Sequence, residues 1–123
     1  MSLYFRKEDR AWSKAPVRGG IDMDKSVIWE GNFDVRSALF HMPAGMSIPK
    51  HTHPKWVQVF VVEGEMEVES EQDGTVRIPA GGCYFVEPGD THAESALTDT
   101  TVLVTQGEDR PGFPGSPESE TSG

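Results

Sequence analysis

The residues best suited to chemistry lie in the stretch Gly45 to Gly64, GMSIPKHTHPKWVQVFVVEG, which carries two histidines one residue apart, His51 and His53, and then Gln58. Residues i and i+2 of an extended segment point to the same face, so both imidazoles can reach one metal ion together. A His-x-His pair by itself also occurs as ordinary surface or packed histidines. This pair has company: a glycine ahead of it, a strand-like run of β-branched and aromatic residues behind it, and a third histidine, His92, about forty residues on. Pro49 and Pro54 flank the pair and restrict the backbone on each side, which limits how far the two rings can drift.

The elements that must hold these residues read as short strands. Ser26 to Glu30 ends at Gly31-Asn32. Asp34 to Met42 alternates Val35, Ser37, Leu39 and His41 on one face with Arg36, Ala38, Phe40 and Met42 on the other. Val57 to Val62 is apolar on both faces except at Gln58. Glu65 to Ser70 places Glu65, Glu67, Glu69 and Glu71 on a solvent face and Met66 and Val68 on a buried one, because like charges aligned along a strand repel and take water. Asp73-Gly74 makes a hairpin turn into Thr75 to Ile78. Cys83 to Val86 follows, the turn Pro88-Gly89-Asp90 delivers Thr91 and His92, and strands over His92 to Ala96 and Thr100 to Thr105 complete the set.

Eight or nine such strands with Gly- and Pro-rich turns, and no sustained helical period, predict an all-β fold of antiparallel sheets, a sandwich or a barrel. Residues 1–24 read as an N-terminal arm, with one short strand possible and Trp12 as its anchor; 25–106 form the domain; 107–123 read as a flexible tail whose one apolar anchor is Phe113. Central strands that are apolar on both faces call for a cover, from the arm or from a second subunit, so a homodimer is expected.

Bulk properties narrow the function. The chain of 123 residues fits one domain. Its formal net charge of −9 disfavours a nucleic-acid partner, whose phosphates it would repel. The bases Arg6, Lys7, Arg10, Lys14 and Arg18 gather in the N-terminal segment. No apolar run reaches the roughly twenty residues that a membrane span needs, the N-terminus has no signal core, and the single cysteine, Cys83, fits a reducing compartment. No membrane partner is expected, and cytoplasmic is the default location.

Taken with their spacing, these motifs resemble a small single-domain cupin. The family's first motif (glycine, five residues, HxH, three or four residues, glutamate, glycine) corresponds to Gly45, His51, His53, Gln58 and Gly64. The second (glycine, five residues, PxG, two residues, histidine) corresponds to Gly81, Glu87-Pro88-Gly89 and His92. Gln58 stands where the family usually has glutamate, and Glu87 where it usually has proline. The resemblance implies a double-stranded β-helix, a jelly-roll barrel of two antiparallel sheets. Inside it His51, His53, Gln58 and His92 would converge on one divalent transition metal: Fe, Mn, Ni, Zn, Cu or Co. A neutral glutamine would leave the ion its full charge and favour an anionic or chelating substrate.

On that fold Glu94, two residues after His92, would point into the barrel as a candidate general base or as a partner orienting an imidazole. Arg36 would clamp a substrate carboxylate if its face is inward, and is a plain surface arginine if outward. Tyr84, Phe60, Met42 and Met66 are candidate pocket walls or simple core. Trp56 either closes over a ligand or packs on a neighbouring subunit. Lys50 and Lys55 bracket the histidines and either attract an anion or are plain surface lysines, and Cys83 reads as a buried small hydrophobe or, as in some cupins, a pocket residue near the metal.

Three functions follow. The resemblance to three-histidine, one-glutamine cupins that rearrange unsaturated uronates or cyclise polyketides implies an isomerase or cyclase acting by enolisation on a small oxygenated or anionic metabolite. An Fe- or Mn-dependent dioxygenase is the second possibility. A non-catalytic sugar or effector sensor is the third.

Overall fold

The computed structural model describes residue 2, residues 4–17 and residues 21–107. Ten strands run in chain order: β1 (Ser13–Val17), β2 (Ile21–Asn32), β3 (Val35–Met42), β4 (Ser47–Thr52), β5 (Val57–Glu63), β6 (Glu65–Ser70), β7 (Gly74–Pro79), β8 (Cys83–Val86), β9 (Thr91–Ala96) and β10 (Thr100–Gly107). They form a six-stranded sheet in the order β1-β2-β3-β10-β5-β8 and a four-stranded sheet in the order β4-β9-β6-β7. All eight pairings are antiparallel.

The all-β class and the two antiparallel sheets stand; the closed barrel does not. The larger sheet ends at β1 and β8 and the smaller at β4 and β7, and no ladder joins those edges among the described residues. Closure requires every strand to have hydrogen-bonded neighbours on both sides. Alternation along a strand reports which face is buried and carries no information about its edges. The result is an open two-sheet sandwich.

Between the sheets lies a core built by strict alternation. Val57, Val59 and Val61 of β5 are buried, as are Ala38, Phe40 and Met42 of β3, Met23 of β2 and Val102 of β10. Met66 and Ala96 close the core from the smaller sheet. The run over Val57 to Val62 is apolar on both sides, yet only one side is inside: Phe60 and Val62 remain 40% and 42% exposed.

The segment before residue 25 is more than an arm. β1 pairs along the start of β2, from Val17 opposite Ile21 to Ser13 opposite Lys25, so the expected boundary falls inside a strand. Sequence SKAPV shows no alternation, and its proline confines it to a sheet edge, the position β1 holds. Trp12 is 47% exposed. Gly107 closes β10; the remainder of the expected tail, Phe113 included, and Arg18 lie outside the described residues. No helix among the described residues is long and apolar enough to cross a membrane.

Candidate metal centre

The three histidines are assembled by the pairing of β4 with β9, which sets His51 directly opposite His92. Ile48 faces Glu94 and His51 faces His92, so β4 spends three steps where β9 spends two: a bulge lies around Pro49 and Lys50. Simple alternation would send Ile48 and His51 to opposite faces. The bulge puts both on the inner one, and proline, with no N–H to donate, suits the unpaired position. His53 follows the end of β4, and its carbonyl accepts from the Gly89 N–H at 3.0 Å. That bond ties the second-motif turn to the first motif.

Ring centroids are 4.8 Å apart for His51 and His53, 4.3 Å for His51 and His92, and 5.6 Å for His53 and His92. One nitrogen from each ring lies within 4.8 Å of the others. Donors about 2.1 Å from one ion are separated by roughly 3–4.2 Å, so small side-chain movements suffice to bring the three onto a common centre. His51 Nδ1 lies 2.8 Å from the Pro49 carbonyl oxygen. A carbonyl only accepts, so Nδ1 carries the proton and the Nε2 lone pair is available to a cation. His92 Nδ1 is buried without a hydrogen-bond partner among the described residues. This donor set fits a divalent transition ion.

Glu94 joins the cluster. It alternates inward with His92 and Ala96 on β9, and its Oε1 is 3.3 Å from His92 Nε2 and 3.7 Å from His51 Nε2. Its other oxygen, Oε2, accepts the hydroxyl proton of Tyr84 from β8. Burial is the largest single influence on this carboxyl and opposes its ionisation. The hydrogen bond and electrostatic pull of His92, the Tyr84 hydroxyl and the electrostatic pull of His51 together outweigh burial and hold Glu94 below the ordinary carboxyl range. Tyr84 is pushed well above the usual phenol value, first by burial and then by the adjacent carboxylate.

These groups form one wall of a cleft between the two sheets. Its other walls are largely apolar, with Met23, Phe40, Met42, Val59, Met66 and Val102 among them. Two expected site residues are placed elsewhere. Gln58 is exposed on the outer face of β5, opposite Phe85 on one side and Thr105 on the other. Its neighbour Val57 points into the cleft, so the residue facing the histidines from β5 is apolar. Period-2 alternation decides this: with Val59 and Val61 inside, position 58 must be outside. The charge argument attached to a glutamine ligand lapses with it.

Arg36 lies on the face of β3 shared with Ala38 and Phe40, as inward placement requires, but it does not line the histidine cleft. Its guanidinium donates through Nε, at 2.8 Å, and through Nη2 to the side-chain oxygen of Gln106, with that amide turned to face it. Gln106 is the cleft residue that sequence reasoning missed. The signal was present: Val102, Val104 and Gln106 are i, i+2, i+4 on one strand, and all three line the cleft.

Of the candidate walls, Met42 and Met66 line the cleft, Tyr84 acts through Glu94, and Phe60 faces outward. Trp56 stacks on Phe85, with centroids 5.9 Å apart. Lys55 Nζ lies 3.7 Å from Asp34 Oδ2. Cys83 is exposed rather than buried, because β8 turns that side of the strand to the outer face.

No curated protein matches the sequence. Among solved structures, the polyketide cyclase RemF from Streptomyces resistomycificus is similar at a TM-score of 0.78 and 20% identity, over 90% of this chain and 82% of that one. A predicted oxalate decarboxylase from Thermotoga maritima gives a TM-score of 0.74 and 19% identity, over 85% and 98%. KdgF from Halomonas sp. gives 0.73 and 21%, over 90% and 97%. At these identities the likeness establishes the fold alone. The Cupin domain family matches residues 38–105, a span that holds all three clustered histidines. Because that match takes in more than half of the sequence, this protein belongs to the cupin domain family.

Proposed function

We propose that this chain is a metal-dependent enzyme that chelates a small oxygenated metabolite, its preferred substrates being anionic, and transforms it by enolisation as an isomerase or cyclase. One observation carries the reading: three histidines and one carboxylate converge on the wall of an otherwise apolar cleft. A bound divalent ion would polarise adjacent substrate oxygens and acidify the C–H between them. His51, His53 and His92 would hold that ion. The methionines and valines of the cleft exclude water, which strengthens every electrostatic contact inside. Gln106, its oxygen engaged by Arg36, offers the cleft a positioned amide. A polyketide cyclase shares this fold, so the scaffold is compatible with the cyclase side of the reading.

The test is proton exchange. Protein loaded in turn with Mn(II), Fe(II), Co(II), Ni(II) and Zn(II) is incubated in D₂O with β-diketone and 2-keto acids, and the substrate is followed by NMR. Metal-dependent deuterium uptake next to a carbonyl is the expected result. Oxygen consumption matched to substrate loss under Fe(II) would replace this reading with a dioxygenase, and saturable binding without exchange or turnover would make the protein a sensor. For assembly we propose a homodimer through the outer face of the larger sheet, where Phe60, Val62 and Phe85 are exposed. A monomeric mass by analytical ultracentrifugation at high micromolar concentration dismisses it. A reducing, cytoplasmic setting is proposed on the strength of one exposed, unpaired cysteine.

A further inference from the structure

Three imidazoles leave further positions on an ion open, and β5 supplies no donor to them: Val57 is apolar and Gln58 faces away. Of the described residues lining the cleft, the one carboxylate is Glu94. It stands two residues after His92 on β9 and therefore shares its face. Two donors about 2.1 Å from the same ion sit roughly 3.0 Å apart at a right angle and roughly 3.4 Å apart at the tetrahedral angle. Glu94 Oε1 lies 3.3 Å from His92 Nε2 and 3.7 Å from His51 Nε2, the spacing of neighbouring ligands around one centre. The carboxylate is 9% exposed, and its second oxygen is taken by the Tyr84 hydroxyl. One oxygen is thus tethered and the other is turned toward the rings.

We propose that Glu94 Oε1 is the fourth metal ligand of this protein, supplied from β9 instead of β5, and that Tyr84 is the positioning residue that keeps the carboxylate monodentate. The inference rests on the metal-binding reading above and assigns Glu94 to the ion rather than to proton abstraction. It also changes the character of the site. An ionised carboxylate lowers the formal charge at the ion by one and adds a hard oxygen donor to three imidazoles. Tyr84 meets the remaining lone pairs of a buried anion, which would otherwise be left without partners. The sequence consequence is a His-x-Glu pair, His92 and Glu94, that mirrors the His-x-His pair beginning at His51 on the strand opposite.

Apo protein, its E94Q, Y84F and H51A variants, and Co(II) as the probe test this. Co(II) affinity is measured by competition with a chromophoric chelator and the visible d–d spectrum is recorded, with circular dichroism as the check on folding. E94Q keeps the side-chain volume and removes the charge; it is expected to weaken Co(II) binding by about 100-fold and to shift the d–d bands. Y84F is expected to weaken binding by about tenfold, the effect of losing a partner that orients a ligand, and to perturb the spectrum as the freed carboxylate turns. An E94Q protein that binds Co(II) within twofold of wild type with an unchanged spectrum overturns the proposal. That holds also if its turnover is lost, since Glu94 would then be a base. If wild type binds Co(II), H51A does not, and E94Q is unchanged, the metal reading stands and this one fails. If wild type does not bind Co(II), both fail. Should E94Q not fold, Y84F decides, and wild-type affinity and spectrum in that variant reject the assignment.

Discussion

Replacing Gln58 by alanine tests the orientation of β5, on which the reading of the site depends. In the structure the glutamine is exposed, flanked across the sheet by Thr105 and Phe85, while Val57, Val59 and Val61 are 4%, 3% and 0% exposed. Bringing Gln58 to the histidines would take a one-residue slip of β5 that turns every side chain over. The slip would bury an amide without assured partners, at about 1–3 kcal/mol. It would also force the Phe60 ring into space shaped for valine, at about 1–3 kcal/mol more. That penalty of about 2–6 kcal/mol keeps Gln58 outside. Q58A should therefore change global stability by under about 0.5 kcal/mol, as surface substitutions do, and leave Co(II) or Zn(II) affinity within about twofold. The assay is chelator competition on apo protein, paired with a denaturant titration. A folded Q58A protein that loses tenfold or more in affinity, about 1.4 kcal/mol, would show that the amide reaches the metal. The inward face of β5 would then be misassigned, and the case for Glu94 would lose its premise.

Three further outcomes are expected. Gly64 joins β5 to β6 at φ +88°, and a Cβ there would run into the Asp99 carbonyl oxygen and lie 2.8 Å from Thr100 Cα. Gly64→Ala should destabilise by about 3 kcal/mol, from left-handed strain and a backbone shift together, read as a lowered midpoint in urea. Met42, 1% exposed, both fills the core and lines the cleft. Met42→Ala should lower stability by about 2–5 kcal/mol, and a partial recovery on adding a hydrophobic cleft ligand would show the two roles in one melting experiment. Tyr84 holds its proton well above the ordinary value of 10.0. A folded-state pKa above the unfolded one means that the folded protein keeps a proton the unfolded chain has released. The stabilisation is complete below pH 10 and falls above it by about 1.4 kcal/mol per pH unit. In apo protein Tyr84→Phe should remove that alkaline slope, and an identical slope in both proteins would contradict it.

Much of the fold was legible locally. Glu65–Ser70 and Cys83–Val86 are strands with the bounds that alternation and turn residues predict, and the Asp73-Gly74 signal falls at the β6–β7 connection. β1 was not legible, because SKAPV has no period and is held only by its ladder to β2. The histidines were recognisable from type and spacing. The reason His51 shares a face with Ile48 was not, since a bulge appears only when the partner strand is in place. Gln58 misled for a related reason. Counting residues from His53 allows a ligand at either 57 or 58, and burial of Val59 and Val61 decides between them.

What the amino-acid sequence determined by itself is the inventory and its local geometry: antiparallel β-strands, three histidines in two motifs, and a His-x-Glu pair whose members must share a face because a strand repeats every two residues. The tertiary structure decided which face each strand turns inward, that the sheets stay open, and that Tyr84 meets Glu94 while Gln106 meets Arg36. Those outcomes depend on pairing between strands far apart in the chain. Burial of one sheet face against the other sets them, and a side chain cannot encode its position relative to a partner it meets only on folding.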